Sequence, residues 1–341
     1  MKVLPTRELV SGLPVSVLGL GGAGLGELFE TINEDVAQDI IAAAWTGGMR
    51  FYDTAPWYGH GMSEHRMGHF LRQQNRDGFA LSTKVGRLYR AASSAGYRTA
   101  PWVGGLPFQL HFDYSYDGIM RSWQDSLMRM GLNCVDMLVI HDLDEGYHGA
   151  DGLVVHRRDL ESSGYKALEE LRASGQVKAI GAGVNDDATT PYFLENFDLD
   201  FLLVAMPYTL LDQGPLEKSF RVCAEKNVSV VIGSPYASGI LATGSTGKAL
   251  YNYAPASDEI LQKVKKIETV CARHQTTLAA AALQFCLAHP VIAAAIPGAT
   301  HSRFVLANIE NLSAAIPVDL WAELKSLQLI AQESPVPEGA Q

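Results

Sequence analysis

Short apolar runs alternate with helical stripes along most of this chain. Runs rich in β-branched and aromatic residues, bounded by Gly, Pro or polar residues, fall at 15–20, 49–53, 79–84, 135–141, 177–183, 201–206, 228–234 and 291–297, which predicts eight strands. A hairpin-like piece ending in LVSGLPVSVLGLGG lies at the N-terminus. Between the runs the apolar spacing changes to that of a helix. Asn33 is placed to cap one whose Val36, Ile40, Ile41 and Ala44 share a face before Gly47 and Gly48 stop it. Asp117 is placed to cap another, with Met120, Trp123, Leu127 and Met130 on one stripe and Gly131 at its end. Further helices are predicted over 163–174, 215–226, 257–274, 277–289 and 302–311.

This βαβα rhythm implies a parallel sheet with right-handed crossovers. Eight units point to an α/β fold of the closed (β/α)₈ barrel type, although a doubly wound open sheet carries the same rhythm. Gly19, Gly21 and Gly24 spell GxGxxG after a β-like run, as in the dinucleotide motif of an open sheet. That motif opens directly onto its helix, whereas the next helix here starts near Asn33. Tight backbone packing accounts for the glycines equally well. No linker of Pro, Ser or charge divides the chain, so one domain is expected over 1–341, with 333–341 frayed. The stretch from Gly86 to Tyr116 shows no sustained period and is rich in Gly and aromatics, as expected of a long binding loop after the third strand. Its Trp102, Phe108, Phe112 and Tyr114 are candidates for a pocket lining or for a satellite core.

Composition narrows the function. The net charge of −10 supplies no basic field for nucleic acid or an anionic membrane, so neither is expected as a partner. The first residues carry no apolar core of a signal peptide, and no run of about eighteen apolar residues follows. A soluble, cytoplasmic protein is expected. Cys134, Cys223, Cys271 and Cys286 lack CxxC spacing and sit in apolar surroundings, as free thiols do. His141, Asp142, Asp144, His148 and His156 fit no zinc spacing, so no metal is expected.

In a parallel barrel, catalytic groups project from the C-terminal ends of the strands. Asp53 ends the second run in RFYDTAPWYG, with Tyr58 in the loop beyond it; Lys84 ends the third in ALSTKVGR and His141 the fourth in DMLVIHDLD. Together they suit carbonyl/alcohol interconversion, in which hydride moves at carbon and a proton at oxygen. Free tyrosine, with a pKa near 10, is a poor base at neutral pH. A neighbouring ammonium is expected to lower that value, and a carboxylate such as Asp53 to hold the ammonium in place. Lys84 is then the tuner, Tyr58 the proton carrier, and His141 a donor that orients the substrate oxygen. Singly, each residue has a plainer role as cap, packing ring, solvated strand end or core histidine; four together at strand ends are harder to dismiss.

The strings FYDTAPWYGHGMSE, ALSTKVGR and DMLVIHDLD resemble the signatures of the aldo-keto reductase family, and the likeness runs along nearly the whole chain. It implies a (β/α)₈ barrel, an extended nicotinamide dinucleotide, and Asp53, Tyr58, Lys84 and His141 as the catalytic tetrad. It also implies that Asn185 holds the nicotinamide carboxamide. Two loops would clamp the rest of the cofactor, one carrying Ser234, Tyr236, Gly239 and Leu241, the other Gly298, Thr300, Arg303 and Asn308. Trp57, Trp102 and Phe108 are the candidate substrate contacts.

Departures from the family pattern refine the expectation. Where NADP-using members carry a lysine and an arginine for the 2′-phosphate, this chain has Gly298 and Phe304, with His301 and Arg303 nearby. Loss of two cations predicts a preference for NAD and hence for oxidation, with NADP a weaker alternative. Gly233 stands for the aromatic often stacked on the nicotinamide, and Ala205 for the usual glutamine. The long form of the sequence resembles the sugar-dehydrogenase branch. That likeness implies oxidation of the anomeric carbon of an aldose such as L-fucose or L-galactose, or of pyridoxal, which also cyclises to a hemiacetal. An NADPH-dependent reductase of aldehydes and ketones and a non-catalytic cofactor-binding barrel are the alternatives, the second disfavoured by the intact tetrad.

Overall fold

The predicted apolar runs become strands trimmed at their ends: β1 (Leu20–Gly21), β2 (Phe51–Asp53), β3 (Ala80–Val85), β4 (Met137–Ile140), β5 (Ala179–Val184), β6 (Phe201–Val204), β7 (Ser229–Ile232) and β8 (Ile292–Ala295). They were traced in a computed structural model that describes residues 4–92, 100–246 and 249–338. Each strand pairs in parallel with the next in sequence. Parallel bridges from Leu18 to Ala295 and from Gly21 to Gly298 then join β1 to β8. The sheet therefore curls into an eight-stranded barrel, which rules out the open dinucleotide-binding sheet.

Two apolar layers hold it. Inside, Phe51, Met137, Val139, Phe201, Leu203 and Val231 pack with Leu9, Leu13 and Val15 of the N-terminal hairpin (Thr6–Glu8 with Pro14–Ser16), which closes the barrel at the N-terminal ends of its strands. Outside, the other strand faces pack against the helices in a larger core. The expected first strand thus splits, its beginning serving the hairpin and its end the barrel. The glycines of GxGxxG are needed for close approach: a Cβ on Gly21 would lie 2.4 Å from Ile296 O, and one on Gly24 2.5 Å from Ala299 O.

Asn33 Oδ1 accepts from Val36 N at 2.9 Å and caps the helix Glu34–Thr46 as expected. The next cap differs. Ser115, not Asp117, accepts from Gly118 N and starts the helix Tyr116–Met130, because Asp113 Oδ1 in turn accepts from the Ser115 backbone and hydroxyl and fixes the turn. The stretch after β3, expected to be irregular, contains an antiparallel hairpin of Arg87–Ala91 with Phe108–Phe112; 93–99 lie outside the described residues. A helix over Glu145–Asp159 was unanticipated. It buries no residue and so carries no apolar stripe to betray it. Met62–Leu71, Thr190–Asn196 and Val318–Ser326 are likewise additional helices. Of the tail expected to fray, Ser334 is buried and Val336 packs on the core, while 339–341 lie outside the described residues. Among the described residues no helix is long and apolar enough to cross a membrane.

Candidate active site

Strand parity brings the polar groups together. Ser82 and Lys84 share one face of β3, and Ser82 is the register partner of Asp53 at the end of β2. Asp53 Oδ1 accepts from Ser82 Oγ at 2.6 Å and from Lys84 Nζ at 2.9 Å, and Oδ2 accepts from Lys84 Nζ at 2.7 Å. The ammonium's remaining bond runs to Thr54 O at 2.9 Å. Lys84 is only 2% exposed, so the pair is desolvated and its geometry matters.

Tyr58 lies in the turn after β2, which Gly26 backs: a Cβ there would sit 2.4 Å from the Tyr58 carbonyl carbon. The Lys84 ammonium faces the Tyr58 ring 4.6 Å from its centroid. His141 follows β4 and meets the same ring edge-on at 5.9 Å. Its backbone is fixed by Val85 O, which accepts from His141 N, and by Tyr114 Oη, which donates to His141 O at 2.6 Å. Tyr58, Lys84 and His141 line one cleft, with Asp53 behind Lys84.

Protonation differs from the expectation at Tyr58. Its phenol is pushed well above the ordinary value of 10, first by burial and then by the carboxylates of Asp53 and Asp142. The ammonium does not prevail because Asp53 neutralises it at contact distance, leaving desolvation to dominate. His141 is driven well below 6.5 by burial, with Arg87 and Lys84 adding to the effect, and is neutral at pH 7. One of its nitrogens, Nε2, sits 3.2 Å from Asp142 Oδ2.

The other predicted contacts divide. Trp57 and Trp102 line the cleft and meet edge to face at 5.7 Å, whereas Phe108 does not line it: it is exposed and packs on Tyr89. Tyr114 is buried in the main core and Phe112 packs against it, both meeting the rings of His148 and His156, which are 4.7 Å apart. Among the described residues no cluster of three or more His, Cys, Asp and Glu is placed to hold a metal ion. Asn185 lines the cleft with both amide hydrogens engaged, by Asp142 Oδ1 and Asp144 Oδ2 at 2.9 Å each. Its Oδ1 is left as the acceptor for an amide such as a carboxamide NH₂.

Ser234, Tyr236 and Gly239 lie in the loop after β7, and Tyr236 Oη donates at 2.8 Å to Asn308 Oδ1 in the helix Ser302–Ser313. No side chain caps that helix, which leaves N-terminal donors of the kind that bind phosphate. Gly298 and Thr300 lead into it, and the Arg303 guanidinium stacks on Phe304 at 4.8 Å. Leu241 is fully buried, and its N–H donates to Tyr236 O. Ala205 lines the cleft with Leu203, and a Cβ on Gly233 would press on both.

Arg87 and Asp142 were missed as members of the site. Arg87 is buried, its Nη2 donates to Asp142 Oδ2 at 2.7 Å, and burial pushes the Asp142 carboxyl up while Arg87 opposes it. The one available signal was position, since Asp142 directly follows a strand end at the barrel mouth.

A buried ammonium–carboxylate pair under a phenol, with a neutral imidazole beside it at the C-terminal end of a parallel barrel, defines a carbonyl/alcohol oxidoreductase site. The chain belongs to the Aldo/keto reductase family, whose pattern matches residues 17–328. It is an NAD(P)-dependent oxidoreductase of that type. It is 38% identical over 334 residues to pyridoxal 4-dehydrogenase of Microbacterium luteolum, covering 94% of this chain and 96% of that one. It is 37% identical over 328 residues to D-threo-aldose 1-dehydrogenase of a Pseudomonas species, with the same coverage of 94% and 96%. Among solved structures, an aldo-keto reductase of Bacillus halodurans in its holo form superimposes with a TM-score of 0.70 at 25% identity, over 98% of each chain.

Proposed function

We propose that this enzyme oxidises the anomeric carbon of a lactol, either an aldose such as L-fucose or L-galactose or the cyclic form of pyridoxal, to the lactone with NAD. The observation that carries the reading is the convergence of Tyr58, Lys84 and His141 on one cleft walled by Trp57 and Trp102. The names of the two relatives above supply the substrate class. The C1–H bond breaks as hydride and the anomeric O–H gives its proton to Tyr58 as the carbonyl forms. A bound nicotinamide would supply the acceptor for that hydride. Neutral His141 donates a hydrogen bond that orients the reacting oxygen, and Lys84, anchored by Asp53 and Thr54, keeps a positive charge against the Tyr58 ring. Asn185 Oδ1 and the uncapped helix at Ser302 would hold the carboxamide and the pyrophosphate.

NAD is favoured because Gly298 offers no side chain and Arg303 is stacked on Phe304. Purified protein incubated with L-fucose, L-galactose or pyridoxal should form reduced cofactor, with kcat/KM for NAD exceeding that for NADP by about tenfold or more, the worth of one lost charge-assisted phosphate contact. Turnover confined to NADPH and simple aldehydes would replace this reading with a general reductase.

The raised phenol sets the pH dependence. As an acid Tyr58 is protonated across the neutral range; as a base it must first lose its proton. Oxidation should therefore climb with pH, by about one logarithmic unit per pH unit below the phenol's pKa, while reduction stays level over the same range. A flat oxidation profile would sink the assignment of Tyr58 as base.

A further inference from the structure

Arg87 and Asp142 form a second buried ion pair beside the tetrad that the mechanism above does not use. Arg87 is 1% exposed, and the rings of Trp57 and Tyr147 pack on its guanidinium at 4.9 and 4.4 Å. Desolvating that cation is costly, and its effect is to keep a carboxylate in one place at the barrel mouth. Asp142 is held in a left-handed backbone conformation, φ 41°, which a residue with a Cβ adopts at a cost. Two donors converge on it, Arg87 Nη2 at 2.7 Å and Asn185 Nδ2 at 2.9 Å, and the neutral His141 ring stands beside it with Nε2 3.2 Å from Oδ2. A carboxylate offers about four lone-pair positions, so it keeps room to accept from a further donor. Asp142 lines the cleft next to His141, the residue placed to orient the reacting oxygen. In a lactol whose reacting oxygen meets His141, a hydroxyl on the next carbon would stand beside that oxygen, within reach of this carboxylate.

We propose that Asp142, locked by Arg87, determines specificity by accepting a hydrogen bond from the hydroxyl on the carbon adjacent to the anomeric carbon, so that the site selects hydroxylated lactols over lactols bare at that position. The inference rests on the aldose form of the lactol reading above, since cyclic pyridoxal has no hydroxyl at that carbon, and adds the hydroxyl that is read.

The test compares kcat/KM for L-fucose and for 2-deoxy-L-fucose. The wild-type enzyme should prefer L-fucose by about tenfold to a hundredfold, the range of a hydrogen bond to a charged group. In Asp142→Asn that ratio should fall to within about threefold, whatever happens to the absolute rates. Because Asp142→Asn leaves Arg87 without a counter-ion and can fail to fold, the double variant Asp142→Leu/Arg87→Met, which removes both charges, carries the same comparison. A wild-type ratio near unity overturns the proposal without any variant. A variant that slows both sugars equally, keeping the ratio, also overturns it and leaves Asp142 a positioning residue for His141. Turnover of pyridoxal with none of either sugar also overturns it while keeping the lactol reading, whereas no turnover of any lactol is a different failure, since it removes that reading and the proposal falls with it.

Discussion

Tyr58→Phe should lower kcat for lactol oxidation by about 10³-fold, within the range for loss of a positioned acid/base, while leaving cofactor affinity intact. The substitution deletes one oxygen and keeps the ring. That ring still packs on Trp102 at 5.7 Å and on His141 at 5.9 Å, so the cleft keeps its walls. Steady-state rates and a fluorescence titration with reduced cofactor separate the two effects. Normal turnover in the variant would show that the proton leaves by another route.

Lys84→Met should damage both stability and chemistry. It strands the Asp53 carboxylate in the interior with Ser82 Oγ as its remaining side-chain donor. Removing one partner of a buried pair costs about 3–5 kcal/mol, and the loss appears as a lower midpoint in denaturant with an unchanged slope. Activity should drop by about 10²-fold or more, since the charge that faces the Tyr58 ring is gone. The double variant Asp53→Asn/Lys84→Met leaves no charge stranded and should regain most of the stability without regaining activity. Recovery of both would mean that the pair serves the fold alone.

The positions of Asp53, Lys84 and His141 were legible because a parallel barrel gathers the C-terminal ends of its strands, and each residue ends an apolar run. Tyr58 depended on its resemblance to a known motif, since nothing periodic distinguishes a ring in a turn. The sign of its proton affinity was not legible at all. It depends on how completely Asp53 cancels Lys84 and on how dry the cleft is, and both are properties of the assembled molecule. The pairing of Arg87 with Asp142, 55 positions apart, was hidden for the same reason. Local signals misled where two capping residues competed, as at Ser115 and Asp117, and were silent for the helix Glu145–Asp159, which lies on the surface with every residue at least partly wet.

The N-terminal hairpin has a consequence for how the molecule is made. Arg7, beside the plug formed by Leu9, Leu13 and Val15, donates to the carbonyls of Leu287 and Ile292, which lie 280 and 285 positions further on. A folding chain offers those acceptors only once the eighth strand and the helix before it are in place. Until then the guanidinium at the foot of the cylinder has neither carbonyl to grip, so that the seating of the N-terminal seal is tied to the closing of the barrel.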